Sequence, residues 1–303
     1  MNESLHAYMR VGIVHFMAWP STIKGEGPIL ETVKRIATDD YFDAIELTWI
    51  KDGATRAQVG KMARCAKLAI GYGAQPRLLT TGLNINDLDE EGRRKAVVTL
   101  KEGIDEAYEL GACGFAYLSG KYAEATKEAS YQALLKSTRE ICAYAASRGT
   151  MPVNLEVFDY DIDKKSLIGP TELALRFTRE IRQDHKNFGL LVDLSHIPMY
   201  RESAEAAVLP VRDVIRHVHI GNTVIKDPSQ TAYGDTHPRF GFDGSENDVA
   251  QVAEFLRVLL FAGVLRKDDP PFLSFEVKPW GDEDPELVIA NAKRTLNQAW
   301  ALV

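Results

Sequence analysis

The sequence has little cysteine and little histidine, no long apolar run and no excess of positive charge. Its three cysteines (Cys65, Cys113, Cys142) stand far apart with no CxxC pair. That excludes a disulfide framework, and buried, reduced thiols in a cytoplasmic protein are the expectation. A membrane-crossing helix needs about 20 apolar residues, whereas stretches such as 255–264 are short and carry Arg257. The opening MNESLHAYMR lacks a basic segment leading into an apolar core, so no secretory signal is expected. A formal charge of −7 and a pI near 5.6 speak against nucleic-acid partners, and the lack of a long apolar run against membrane partners. Histidine is scarce but uneven. Four of the seven (His196, His217, His219, His237) fall between 196 and 237, where even spreading would place about one.

What is present is a regular alternation over 303 residues, 45% of them hydrophobic. Short apolar runs occur at 11–16, 42–48, 69–75, 114–120, 152–158, 189–195, 215–221 and 272–278. Their length and their Val, Ile, Phe and Leu content suit buried strands. Segments of helical periodicity lie between them. In 91–111, Ala96, Val97, Leu100, Ile104, Ala107 and Leu110 form one stripe and Gly111 is a natural terminator. Further helices are expected over 29–36, from Pro170, after Ser245–Asp248 with a stop at Gly263, and from Pro285 to about Trp300. Eight units of about 37 residues predict an α/β fold, a (β/α)8 TIM barrel spanning residues 1–303 as a single domain. An open doubly wound sheet uses the same alternation, but eight units without a gap or composition shift favour closure. The long inserts 76–90, 159–169 and 223–244 all follow strands, on the face where barrel active sites sit.

Polar residues close the last four strands: Glu156 in VNLEVFD, Asp193 in LLVDLSH, His217 and His219 in HVHIG, and Glu276 in SFEVK. A carboxylate inside an apolar strand is costly unless paired or metal-bound. One such residue is accounted for by a core ion pair; several on consecutive strands point to a site. Glu156, Asp193, His219 and Glu276 offer three carboxylates and one nitrogen, a donor set for one divalent ion. Mn²⁺ suits it best, with Mg²⁺, Co²⁺ or Zn²⁺ as alternatives; a hydrogen-bonded core network is the competing reading.

The runs NLEVFD, LLVDLSH, HVHIGN and SFEVKP, in this order, resemble the xylose isomerase-like barrel superfamily of sugar isomerases, ketose 3-epimerases and the endonuclease IV group. The resemblance implies Glu156, Asp193, His219 and Glu276 as metal ligands and the two glutamates as acid and base. It also implies His196 as a substrate contact. The endonuclease branch needs histidines after strands three and four, where this chain has Gln75 and Ser119. The stretches VGIVHFMAWP, AYGDTHPRFG and GSEND are similar to the catalytic subunit of bacterial C-glycoside deglycosidases. In the same loop Ile225 stands where ketose 3-epimerases usually place arginine. That finer resemblance makes cleavage of a carbon–carbon bond in a 3-oxo-C-glycoside, with a smaller β-rich partner subunit, the leading expectation, and a ketose epimerase or isomerase with the same metal site the alternative. An epimerase would instead be expected as a homo-oligomer.

Both carbohydrate readings require a proton to leave a carbon beside a carbonyl, which a metal and a placed base make feasible. Glu156, His196, Glu276 and His237 are the candidate acid–base groups. Candidate substrate contacts are His15, Trp19, Trp49, Gln75, His217 and Arg239, with Phe16 beside the tryptophans as an apolar wall. Core packing is the alternative for His15 and His217, loop packing for the tryptophans, and solvent exposure for Arg239. No glycine-rich turn opens a helix after strands seven or eight, so a substrate without phosphate is expected.

Overall fold

A computed structural model describes residues 3–303. Eight strands follow one another as β1 (Arg10–Ile13), β2 (Ala44–Leu47), β3 (Ala69–Gly73), β4 (Gly114–Leu118), β5 (Val153–Glu156), β6 (Phe188–Asp193), β7 (Ile215–Gly221) and β8 (Phe272–Glu276). Each lies within an apolar run expected to form a strand or overlaps it. All ladders are parallel, and β1 pairs with β8 rather than only with an early neighbour. The seam between β1 and β2 is closed by a parallel bridge from Val14 to Glu46 and by the Asp43 N–H donating to the Val11 carbonyl at 2.8 Å. First and last strands paired in this way give a barrel and exclude the doubly wound sheet.

The α-helices among the described residues are α1 (His15–Ala18), α2 (Ile29–Ala37), α3 (Gly53–Ala66), α4 (Gln75–Leu79), α5 (Glu90–Leu110), α6 (Lys127–Arg148), α7 (Thr171–Ile181), α8 (Ala204–Val208), α9 (Val249–Phe261) and α10 (Pro285–Ala301). Their ends follow local chemistry. The Asp89 carboxylate accepts the Gly92 N–H at the start of α5, and Gly111 ends that helix at φ 79°. Asp248 and Gln251 form a capping box on α9, and Asp284 caps α10. Pro170 sits one residue ahead of α7 rather than inside its first turn.

Register decides what the barrel mouth contains. Leu190 lies level with Ile215, but Leu191 lies level with His217, so β7 carries one extra residue, Arg216, at this point. Beyond the irregularity Asp193 lies level with His219. Side chains alternate along a strand, so an uninterrupted register would have set Asp193 opposite Val218.

The insert 159–169 is wound around the fully buried Asp159, whose carboxylate accepts the N–H groups of Ile162, Asp163, Lys164 and Lys165. Among the described residues no helix is long and apolar enough to cross a membrane. The three cysteines are free, but only Cys142 is buried; Cys65 and Cys113 are exposed, contrary to the expectation of buried thiols. Cys65 lies in the last turn of α3 and Cys113 just ahead of β4, outside the packed layers.

Candidate active site

A cavity of about 300 Å³ opens at the C-terminal ends of the strands. Glu156, His219 and Glu276 reach it from β5, β7 and β8, and Asp193 lies fully buried beside them. One donor atom from each of these four residues lies within 4.8 Å of the others. The His219 Nδ1 is 2.6 Å from Glu276 Oε2 and 3.6 Å from Glu156 Oε1. Asp193 is held by its own turn: the Ser195 N–H donates to Oδ1 at 2.9 Å, and the Ser195 hydroxyl donates to Oδ2. Gln75, at the start of α4, donates from Nε2 to Glu156 Oε2 at 2.6 Å. The other oxygen of Glu156, Oε1, is buried with no hydrogen-bond partner. An orphaned carboxylate oxygen beside two more carboxylates and an imidazole fits a divalent cation.

Negative charge is in excess here. Glu46, Glu156, Asp193, Asp235 and Glu276 are all buried, and the half-buried Lys164 and Lys278 line the same cavity. Lys164 Nζ pairs with Asp235 Oδ2 at 2.9 Å and Asp163 Oδ2 at 2.8 Å. Burial disfavours charge on the imidazoles, but their carboxylate neighbours outweigh it. Asp235 and Asp193 push His196 up to about 10, and Asp235 and Glu276 push His237 up to about 9. His219 is raised well above its usual range despite burial, by Glu46 and Glu276. Burial would raise Asp235, yet His237, Lys164 and His196 hold it well below the usual carboxylate range. Surplus carboxylates are neutralised either by protons on imidazoles or by a cation, so cation binding and proton release are coupled.

The opposite wall is apolar, built from Phe16, Met17, Pro20, Ile23, Pro76 and Leu79. Gly73, at the end of β3, makes room for it: a Cβ there would sit 2.9 Å from Phe16 Cζ and 3.0 Å from Gln75 Oε1. The 223–244 insert closes the remaining side with Asp235, Thr236 and His237. His237 has φ 51°, a backbone state that non-glycine residues seldom adopt, and its carbonyl accepts the Lys278 N–H at 2.7 Å. Its Nε2 faces Asp235 Oδ1 at 2.8 Å, while its buried Nδ1 has no partner.

Residues 35–292 match the family described as a xylose isomerase-like TIM barrel. The chain belongs to that family. Among solved structures, L-ribulose 3-epimerase is similar at 19% identity and a TM-score of 0.69, covering 97% of this chain and 96% of the other. D-Psicose 3-epimerase from Clostridium cellulolyticum H10 is similar at 15% identity and 0.68, covering 97% and 96%. The 3-keto-D-glucoside 4-epimerase from E. coli is similar at 16% identity and 0.64, covering 97% and 98%. No curated protein matches the sequence. At these identities the likeness concerns the fold.

Within this family member, several residues expected to touch substrate lie elsewhere. Strand β1 ends at Ile13, so His15 opens α1 and turns outward; its Nε2 meets Thr32 Oγ1 at 2.7 Å, and burial pushes its pKa down to about 3. Trp19 packs on His15 and borders a separate surface hollow between α2 and α10. Trp49 donates its indole N–H to the Ile23 carbonyl at 2.8 Å with Arg77 over its ring, behind the cavity wall. Arg239 pairs with Glu283 at 2.9 Å. His196 does not line the cavity: Nδ1 meets the Val157 carbonyl at 2.9 Å and Nε2 meets Asp235 Oδ1 at 3.1 Å. His217 lies below the mouth, 2.7 Å from Glu46 and beside Phe272.

The charged cavity residues Glu46, Lys164 and Lys278 went unrecognised in the sequence as members of the site. Glu46 carried a usable signal. It sits between Ile45 and Leu47, a carboxylate inside an apolar strand like Glu156 and Glu276. Lys164 carried none, because its place beside Asp235 depends on how the 159–169 insert folds.

Proposed function

We propose that this chain is a divalent-metal-dependent enzyme that moves a proton at a carbon beside the carbonyl of an oxo-sugar, acting as a sugar epimerase or isomerase. The observation that carries this reading is the four-residue donor cluster opening onto a sugar-sized cavity with a glutamate on each side of His219. Glu156, Asp193, His219 and Glu276 would hold the ion, with Mn²⁺ the best candidate. When bound, it supplies electrophilic stabilisation of the negative charge that builds on the carbonyl oxygen.

The remaining steps fall to side chains. Glu156 is oriented by Gln75, which leaves Oε1 unpaired; Glu276 lies beside His219 through Oε2, with Oε1 toward His237 at 3.7 Å. Two carboxylates approaching from β5 and β8 suit removal of a proton from one face of the carbon and its return to the other. His196 holds Asp235 from behind, and Asp235 in turn keeps His237 in place. The relatives named as epimerases of ketoses and of a keto-glucoside support this reading.

A second reading is carbon–carbon cleavage of a 3-oxo-C-glycoside, favoured by the apolar wall around Phe16 facing the acidic cluster. There the enolate electrons expel the aglycone carbon, the bond between sugar and aglycone breaks, and His237 supplies the proton that carbon takes up. On that reading the chain works with a smaller β-rich subunit, which co-purification from the native host tests.

The deciding experiment is incubation of Mn²⁺-loaded protein with a panel of ketoses and 3-oxo-glucosides in D₂O. Deuterium at the carbon next to the carbonyl is expected for epimerisation, and release of free aglycone for cleavage. Neither outcome with any substrate would refute the proton-abstraction reading.

A further inference from the structure

Glu46 lies on β2, at the seam where the barrel closes, and is 1% exposed. Its carboxylate meets two imidazoles of β7. Oε1 lies 2.7 Å from His217 Nε2 and 3.0 Å from His219 Nε2, and Oε2 lies 3.1 Å from the same His219 nitrogen. The neighbouring strand makes room for it: a Cβ on Gly71 would sit 3.0 Å from Glu46 Cγ and 3.3 Å from Phe272. His219 therefore has two distinct edges. Nε2 faces Glu46, while Nδ1 faces Glu276 and Glu156.

A carboxylate accepts hydrogen bonds and an aromatic nitrogen that binds a metal must present a bare lone pair. From this geometry we infer that Glu46 is a positioning residue, which accepts the Nε2–H of His219 and so fixes the tautomer and ring plane that turn Nδ1 toward the donor cluster. Outer carboxylates of this kind orient metal-binding histidines and raise their basicity. His217 occupies the rest of Glu46 Oε1, stopping the carboxylate from rotating away. This role rests on the proposed ligand set but not on any particular reaction.

An alternative for the same atoms is a separate ion held by Glu46, His217 and His219, whose donor atoms also lie within 4.8 Å of one another. Counting ions separates the two. Wild-type protein titrated with Mn²⁺, with free ion followed by electron paramagnetic resonance, is expected to bind one ion per chain. Glu46→Gln keeps the size of the side chain but presents an amide N–H₂ to one imidazole, and Mn²⁺ affinity is expected to fall by about 10- to 100-fold. Circular dichroism checks that the barrel persists in the variant. In ¹⁵N-histidine spectra of the Mg²⁺- or Zn²⁺-loaded wild-type protein, His219 is expected to be protonated at Nε2 alone, a reading that does not depend on a variant folding.

Two ions per chain, a proton on His219 Nδ1, or wild-type Mn²⁺ affinity in Glu46→Gln each overturns the inference. The last of these leaves the ligand cluster itself standing, whereas a proton on Nδ1 also removes that nitrogen of His219 from the cluster. No Mn²⁺ binding by the wild-type protein overturns this inference and the metal-dependent reading together.

Discussion

Strands β5 to β8 deliver Glu156, Asp193, His219 and Glu276 to the barrel mouth, whereas the side of β1 to β4 delivers Phe16, Met17, Pro76 and Leu79 with Gln75 and Glu46 among them. One half concentrates buried charge and the other concentrates apolar surface. The contrast separates two tasks. Charge-bearing groups must sit where electron density changes, while apolar groups bind the parts of a substrate that do not react and exclude water. Glu46 crosses this division: it belongs to the apolar half by strand but reaches the acidic half through His219.

The sharpest way to break the comparison is to remove a donor from the acidic half. Asp193→Ala is expected to abolish Mn²⁺ binding and to lower turnover by about 10³-fold or more, since ion-assisted charge stabilisation is worth several kcal/mol. Retained metal binding, measured by titration with the fold intact, would remove Asp193 from the ligand set. On the apolar side, Phe16→Ala is expected to reduce stability by about 3 kcal/mol and to raise KM far more than it lowers kcat. Steady-state kinetics showing kcat falling as steeply as in Asp193→Ala would mean that the two halves do not divide binding from chemistry.

A smaller effect concerns His15, whose folded-state pKa is about 3 against an ordinary 6.5. The unfolded chain takes up this proton first, so stability contributed by neutral His15 is complete above about 6.5 and falls as pH drops toward 3. The slope from this one group is at most about 1.4 kcal/mol per pH unit. His15→Asn is expected to flatten the pH dependence of urea unfolding over that window; an unchanged slope would show that other groups set it. The least effect is expected from Arg239→Ala. Arg239 is partly exposed in its pair with Glu283, so stability should change by less than about 1 kcal/mol and the kinetic constants should stay near wild type. A large rise in KM would return Arg239 to the substrate.

Glu156, Asp193, His219 and Glu276 were legible because a charged or imidazole group at the end of an apolar strand has few inexpensive explanations, and four such strands repeat the signal. Glu46 satisfied the same criterion but stood alone in the first half of the chain, where nothing nearby suggested a partner; its partners are more than 170 residues away. His15 was misplaced by local reasoning for a different cause. VGIVHF reads as one continuous strand, yet pairing stops at Ile13 and the chain turns into α1, which rotates the imidazole toward Thr32. Trp49 and Arg239 were near the mouth in sequence but found partners in the surrounding layers first.

Periodicity, caps and apolar runs act over a few residues, and they determined the eight strand–helix units, the starts and stops of α5, α9 and α10, and the family resemblance. Pairing register joins residues far apart in the chain, and only the tertiary structure decided it. The extra residue Arg216 brings Asp193 level with His219, the β1–β2 seam brings Glu46 onto the far edge of that imidazole, and the 159–169 insert sets Lys164 against Asp235. Side chains alternate every residue along a strand, so a shift of one position exchanges the inside of the barrel for the outside. No local pattern records that shift, because both registers bury equally apolar strands.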